Sequence, residues 1–255
     1  MLTCENYFSH ENQMKYIGVS QYKAFMNCEA DALAELLGDW ERPKSDALLQ
    51  GSYVDAHFEG TLDVFRAKNP DLFKRDGTLK ATFANLDYVI DRIENQPLMM
   101  QLLSGEKQKI MTGEICGIPV KIKIDSYLPD VIVDLKCMKD FAPMYKEEQG
   151  RLPWFEYWGY DIQGAVYQEI VYQNTGKKLP FVLVAASKER EPDLCVLEIA
   201  QENLDFELER FRENVVRIDA IKHGFIEPER CEKCDFCRHT RKITEITKQE
   251  DLIDD

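Results

Sequence analysis

Val120-Lys121-Ile122-Lys123-Ile124-Asp125 alternates apolar and charged side chains with a period of two, a pattern that suits a strand and not a helix. Lys121, Lys123 and Asp125 therefore share one face. Val131-Ile132-Val133-Asp134-Leu135-Lys136 is a second run, rich in β-branched residues, with Asp134 and Lys136 on a common face. Between them, Tyr127-Leu128-Pro129-Asp130 has the proline and aspartate of a reversal, so the strands should pair antiparallel. A preceding strand, about Thr112 to Cys116, is predicted to join through a Gly117-Ile118-Pro119 turn, and its Glu114 is a candidate for the same charged face. The chain is thus committed to a meander that brings two carboxylates and an amine together.

Paired carboxylates suit Mg²⁺ or Mn²⁺, hard cations that prefer oxygen ligands and keep several waters. Such an ion polarises a phosphoryl oxygen and acidifies water, while a neighbouring lysine can orient that water or take up its proton. An Asp-x-Lys triplet alone is also common on the solvent face of ordinary hairpins. Its meaning depends on company elsewhere in the chain.

Two further segments supply candidates. Ser45 to Ala67 reads as one amphipathic helix, N-capped by Ser45, with Leu48, Gly51, Val54, Phe58, Leu62 and Phe65 recurring every three or four residues. His57 and Glu59 flank that stripe, and neutral imidazole is a common metal ligand. Gln163 and Tyr167 stand one turn apart on a helix predicted from Tyr157 to Gln173, where an amide and a phenol can reach a phosphate, a base edge or a catalytic group.

In this order, Gly51-x5-His57-x-Glu59, Gly117 with Asp125, Asp134-Leu135-Lys136 and Gln163-x3-Tyr167 resemble the PD-(D/E)xK nuclease superfamily. More narrowly they resemble RecB-type nucleases and phage recombination exonucleases similar to exodeoxyribonuclease VIII. The likeness runs from about Ser20 to Thr240, with Ile124 at the place of the superfamily's proline. It implies an α/β restriction-endonuclease-like core, with a central mixed β-sheet flanked by helices. It also implies His57, Asp125 and Asp134 as Mg²⁺ (or Mn²⁺) ligands, Lys136 as the catalytic lysine, and Gln163 and Tyr167 as a pair near bound DNA. Glu59 and Glu114 are possible support, and Lys121 and Lys123 are further candidates for DNA contact. The activity implied is an exonuclease on double-stranded DNA ends in phage-type recombination, with a single-strand annealing protein as partner and a ring-shaped homo-oligomer as assembly. An endonuclease or CRISPR-associated nuclease of the same superfamily, or a noncatalytic DNA-binding module retaining the fold, are the alternatives.

Of eight cysteines, Cys231, Cys234 and Cys237 form a compact C-x2-C-x2-C run. Residues Met1 to Ala30 lack a basic start followed by an apolar signal core, so a reducing, cytoplasmic setting is expected, where close thiols more often hold metal than form disulfides. Cys28, in a helix predicted from Ser20 to Leu37, is the proposed fourth ligand by analogy with RecB-type relatives that close their fold with one early and three late cysteines. A [4Fe-4S] cluster is preferred on that basis, with Zn²⁺, completed by Cys28 or His239, as the competitor and free thiols as a third reading.

No Gly-, Ser- or Pro-rich linker divides the chain, so a single nuclease domain over 1–255 is expected: a mainly helical part to 104, a sheet core over 105–200, and a helix with a cysteine-rich tail over 201–255. No stretch has the apolar length to span a bilayer. Lys248 to Asp255 reads as a polar, frayed tail. The net charge of −14 opposes broad affinity for nucleic acid. Local basic strips, Lys107, Lys109, Lys121 and Lys123 and then Arg238, Arg241 and Lys242, are the counterweight. The aromatic run Trp154-Phe155-Glu156-Tyr157-Trp158-Gly159-Tyr160 reads mainly as core.

Overall fold

The computed structural model describes residues 2–42, 45–147, 149–244 and 246. The helical first part comprises α1 (His10–Lys15), α2 (Val19–Asn27), α3 (Glu29–Leu37), α4 (Asp46–Glu59), α5 (Leu62–Lys68), α6 (Leu86–Glu94) and α7 (Pro97–Leu102). Strands β1 (Glu106–Ile115), β2 (Ile118–Tyr127) and β3 (Ile132–Met138) follow, then a small hairpin of β4 (Met144–Lys146) and β5 (Gly150–Leu152). Next come α8 (Trp154–Tyr157), α9 (Tyr160–Thr175), β6 (Phe181–Ser187), β7 (Leu194–Glu198), α10 (Gln201–Lys222) and α11 (Asp235–His239). The tail expected to fray, Lys248 to Asp255, lies outside the described residues.

The main sheet has the order β1-β2-β3-β6-β7, with β3 and β6 parallel and the other neighbours antiparallel. A parallel pair needs a long crossover, and α8 and α9 supply it. β6 is buried along its whole length, as a strand covered on both faces must be. Phe181, Leu183 and Ala185 pack with α9 and α10, while Val184 and Ala186 pack with α4 and α6. This is the restriction-endonuclease-like α/β core, a mixed sheet between helical layers.

Three local readings change. The turn between β1 and β2 is Cys116-Gly117, with φ of 51° and 76°; Ile118 and Pro119 already belong to β2. A two-residue hairpin loop with both φ positive matches the twist of its strands, so the reversal falls one step earlier than the proline suggested. The helix expected from Ser45 to Ala67 ends at Gly60, a left-handed C-cap, and α5 starts afresh. The helix expected from Ser20 to Leu37 breaks at Cys28, whose extended backbone (φ −164°, ψ 111°) ends α2 and opens α3.

β2 and β3 form the expected hairpin, but they pair only through Ser126↔Val133 and Tyr127↔Ile132. Beyond those pairs they splay, and the far end of β2 bridges instead to Ile17 opposite Val120. A split therefore opens in the sheet beside Asp125, Asp134 and Lys136. On the α9 side, Gly164 permits close approach: a Cβ there would collide with the ring of Phe181 on β6. Its neighbour Gln163 is thereby pressed against β3.

Candidate active site

The split holds a cleft of about 220 Å³ lined by Asp55, Glu59, Gln108, Lys123, Asp125, Asp134, Lys136, Gln163 and Tyr167, among others. That volume suits a phosphodiester with its ions better than a whole nucleotide, so a polynucleotide would extend beyond it. Asp125 bridges the two splayed strands: Oδ2 accepts the Leu135 backbone N–H at 3.0 Å, a donor that would otherwise lack a partner where the ladder has opened. Its Oδ1 accepts from Gln108 Nε2 at 3.2 Å. Asp134 is 1% exposed, and its Oδ1 accepts from Gln163 Nε2 at 2.6 Å. Lys136 Nζ forms an ion pair with Asp134 Oδ2, an oxygen with no well-directed hydrogen bond, and lies 4.8 Å from the Tyr160 ring centroid.

The electrostatics of the cleft are those of crowded negative charge. Burial and then the Asp134 charge push the Asp125 carboxyl up from about 3.8 to about 7, against the opposing pull of Lys136 and the Leu135 N–H. Asp55 is raised well above the carboxylate range by burial and then by Asp125, with Asp134 and Glu59 adding to it. Burial would lower Lys136, but the Asp134 and Asp125 charges outweigh it and raise the amine. In the metal-free cleft Lys136 is therefore an ammonium, suited to orienting water or a phosphoryl oxygen.

Residues from α4, β1, β2, β3 and α9 meet at the cleft, but not every expected residue does. Asp125, Asp134, Lys136, Gln163 and Tyr167 converge, with Tyr167 donating to the Lys123 carbonyl at 2.9 Å and so fastening α9 to β2. Glu59 lines the cleft as well. His57 does not: its Nε2 pairs with Glu94 Oε1 at 2.8 Å, and the cleft is lined from α4 by Asp55 and Glu59, one turn apart. Two residues from Asp55, His57 points about 200° round the helix, away from the carboxylates. Asp55 is the residue that sequence reading missed; its one signal was the i, i+4 pairing with Glu59 on one helix face. Glu114 also stays away, exposed near the far end of β1 opposite Pro119, with its backbone bonded to Gln173.

The basic strip is largely spent on the protein itself. Lys121 is 1% exposed; its Nζ donates to the carbonyls of Tyr7 and Asn12 and sits over the Tyr7 ring. That burial lowers its pKa to about 8, and the assignment of Lys121 to DNA is replaced by a role in anchoring the N-terminal segment. Lys107 donates to the Leu103 carbonyl and Lys109 pairs with Glu106. Lys123 stays at the cleft, its Nζ 5.3 Å from the Phe8 ring centroid.

The chemistry of the donor set fits a divalent cation. Carboxylates from two strands and a helix line one cleft, Asp125 and Asp55 are raised by burial and then by their acidic neighbours, and one buried acceptor oxygen there, Gln108 Oε1, lacks a hydrogen-bond donor. Asp125 and Asp134 would hold the ion, with Asp55 and Glu59 facing it from α4. A pH dependence follows. The folded carboxyls of Asp125 and Asp55 titrate above their unfolded values, so the folded chain binds more protons and its stability falls as pH rises, for Asp125 from about 4 through about 7. Asp161, raised to about 7 by burial and then Glu207, adds a similar fall that a cation in the cleft leaves untouched. Thermal melts at pH 5 and pH 8 should therefore show a deficit at pH 8 that Mg²⁺ partly removes; an equal deficit with and without Mg²⁺ would count against cation binding.

A second centre joins the ends of the chain. The Sγ atoms of Cys28, Cys231, Cys234 and Cys237 all lie within 4.8 Å of one another, with Cys28 to Cys237 at 3.6 Å and Cys231 to Cys237 at 4.0 Å. The break between α2 and α3 is what presents Cys28. Backbone N–H groups of Cys234 and Cys237 point at the sulfurs of Cys231 and Cys234 at 3.3 and 3.4 Å. Ala30 N–H to the Glu229 carbonyl and a bidentate Arg217–Glu29 pair hold the tail alongside. His239 lies tilted against Trp40, centroids 5.4 Å apart, and is not part of the thiol group.

The fold and the cleft define a nuclease of the PD-(D/E)xK type. Residues 18–240 match the family described as a PDDEXK-like domain of unknown function (DUF3799), and the chain belongs to that family. Among solved structures, it is similar to a candidate exonuclease from Eubacterium rectale, with 46% identity, a TM-score of 0.94, and coverage of 100% of this chain and 98% of the other. No curated protein matches it in sequence. Among the described residues no helix is long and apolar enough to cross a membrane.

Proposed function

We propose that the protein is a divalent-cation-dependent DNA exonuclease acting on the ends of linear duplexes, with Mg²⁺ or Mn²⁺ as its ion. The observation that carries this reading is the convergence of Asp125, Asp134 and Lys136 across the split between β2 and β3, braced by Gln163 on Asp134. A cation held by the two aspartates would supply Lewis acidity to a phosphoryl oxygen and lower the pKa of water beside it. Lys136, paired with Asp134 at the edge of the cleft, offers positive charge and hydrogen bonds to the scissile phosphate. Gln163 fixes Asp134, and Tyr167 fixes the helix that carries Gln163. Action at ends draws on the similar Eubacterium rectale protein, described as a candidate exonuclease. A place in phage-type recombination, with an annealing protein as partner and a homo-oligomeric ring, extends the same reading; a ring would confine positive potential to a channel and reconcile DNA binding with a net charge of −14.

Incubation with Mg²⁺ of end-labelled linear duplex and of covalently closed circular duplex tests this. Loss of the linear form with the circle intact is expected. Equal cutting of the circle would make the protein an endonuclease of the same superfamily, and no cutting of either under Mg²⁺ or Mn²⁺ would leave only a binding module.

For the cysteine centre, we infer a single structural zinc ion. A zinc tetrahedron with bonds of about 2.3 Å places its sulfurs about 3.8 Å apart, close to the 3.6 and 4.0 Å separations of two pairs in a group whose sulfurs all lie within 4.8 Å of one another. The thiolates of a four-iron cluster each bind a different iron and stand wider apart. The close spacing thus favours zinc over the iron-sulfur cluster that the resemblance suggested.

A further inference from the structure

Gln108 is built into the cleft at a conformational cost that its packing does not explain. It lies in β1, where the ladder to β2 runs Lys107↔Ser126 and then Lys109↔Ile124. That register sets Gln108 opposite Asp125, yet these two residues do not pair. The register is the same on both sides of the interruption, so no residue has been inserted and the break is not a β-bulge. Instead Gln108 takes φ of 51°, a left-handed value within a strand. Residues other than glycine rarely adopt it, and such strain gathers at functional sites.

The two ends of the Gln108 amide are used differently. Nε2 donates to Asp125 Oδ1 at 3.2 Å, while Oε1 is buried without a hydrogen-bond partner. The carboxylate fixes which way the amide is turned, because the reverse orientation would set an oxygen against an oxygen. Gln108 lines the same cleft as Asp55, Glu59, Asp125, Asp134 and Lys136. An amide oxygen without a donor, in a cleft that it shares with four carboxylates, is a hard neutral ligand.

We propose that Gln108 is a positioning residue of the cation site: its N–H holds Asp125 in place, and its free amide oxygen gives the divalent ion, or the ion's hydration shell, one more donor. This rests on the reading of the cleft as a divalent-cation nuclease site. The strained backbone is what turns the amide inward at a point where regular pairing would leave Asp125 unbraced.

Mn²⁺ titration of the DNA-free protein, followed by electron paramagnetic resonance, tests the proposal without turnover. Wild type, Gln108→Gly, Gln108→Asn and Asp134→Asn are compared, with a thermal melt of each. Glycine accepts a positive φ freely, so Gln108→Gly should melt at or above wild type and still bind Mn²⁺ about tenfold more weakly, the scale of losing an outer-shell partner. Asparagine tolerates the same backbone but is one methylene short of Asp125, and should show a similar loss; it decides the matter if the glycine variant does not fold. Asp134→Asn should lose Mn²⁺ binding more completely. If both Gln108 variants bind Mn²⁺ within twofold of wild type while Asp134→Asn does not, the Gln108 role alone is overturned. If wild type and Asp134→Asn are alike in failing to bind, the cation-site reading falls and takes this role with it.

Discussion

Asp134→Asn is expected to lower cation-dependent cleavage of linear duplex by well over a hundredfold while leaving the fold intact. The activity loss has two sources. The substitution removes one of the two strand carboxylates proposed to hold the ion, and this should exceed the roughly 10–100-fold cost of losing an outer-shell partner. It also leaves a mismatch unless the Gln163 amide turns over, because Asp134 accepts from Gln163 Nε2 on one oxygen and faces the Lys136 ammonium on the other. An amide N–H towards Lys136 sets a donor against a donor, and one towards Gln163 does so in that amide's present orientation. The fold should survive, because Asp134 is among the charges that raise Asp125 and Asp55. Removing it lets Asp125 titrate lower, so the variant's melting temperature should decline less between pH 5 and pH 8 than that of wild type without cation. Cleavage assays with melts at both pH values check this; activity within a few-fold of wild type would remove Asp134 from the mechanism.

Cys237→Ser is expected to release the metal from the cysteine centre and undock the tail. Cys237 is fully buried and its sulfur lies 3.6 Å from that of Cys28, so hydroxyl for thiol both removes a soft ligand and buries a polar group without its partner. Structural zinc contributes folding free energy directly. Here the sheet core is complete without it, which limits the damage to the tail and the α2–α3 junction. A loss of a few kcal/mol corresponds to a fall of about 10 °C in melting temperature for a chain of this size. Metal analysis should find one zinc per wild-type chain and none in the variant, and a chelator should reproduce the lower melt. Brown protein containing iron and labile sulfide would replace zinc by the iron-sulfur assignment.

The strand pattern and the cysteine spacing were legible because each is a local property. Period-two alternation fixed β2 and β3, and C-x2-C-x2-C fixed the late thiols. His57 was misplaced for the opposite reason. The helix expected from Ser45 to Ala67 offered residues on several sides, and only the packing of α4 against the sheet selects Asp55 and Glu59 over the histidine between them. Lys121 shows the same limit: its alternation with Asp125 is real, yet the N-terminal segment folds over it and the Tyr7 and Asn12 carbonyls cap its amine. Gln108 carried no signal, since a positive φ at a glutamine cannot be read from residue type.

The sequence by itself determined the strands, the pair of carboxylates with their lysine, the Gln163 and Tyr167 spacing, and the supply of thiols, because side-chain periodicity and short spacings survive without tertiary contacts. The tertiary structure decided where those parts meet. β2 and β3 separate after two residue pairs because Asp125 takes over the Leu135 N–H and Ile17 takes the far end of β2, and that separation makes a cleft of what would otherwise be a continuous sheet.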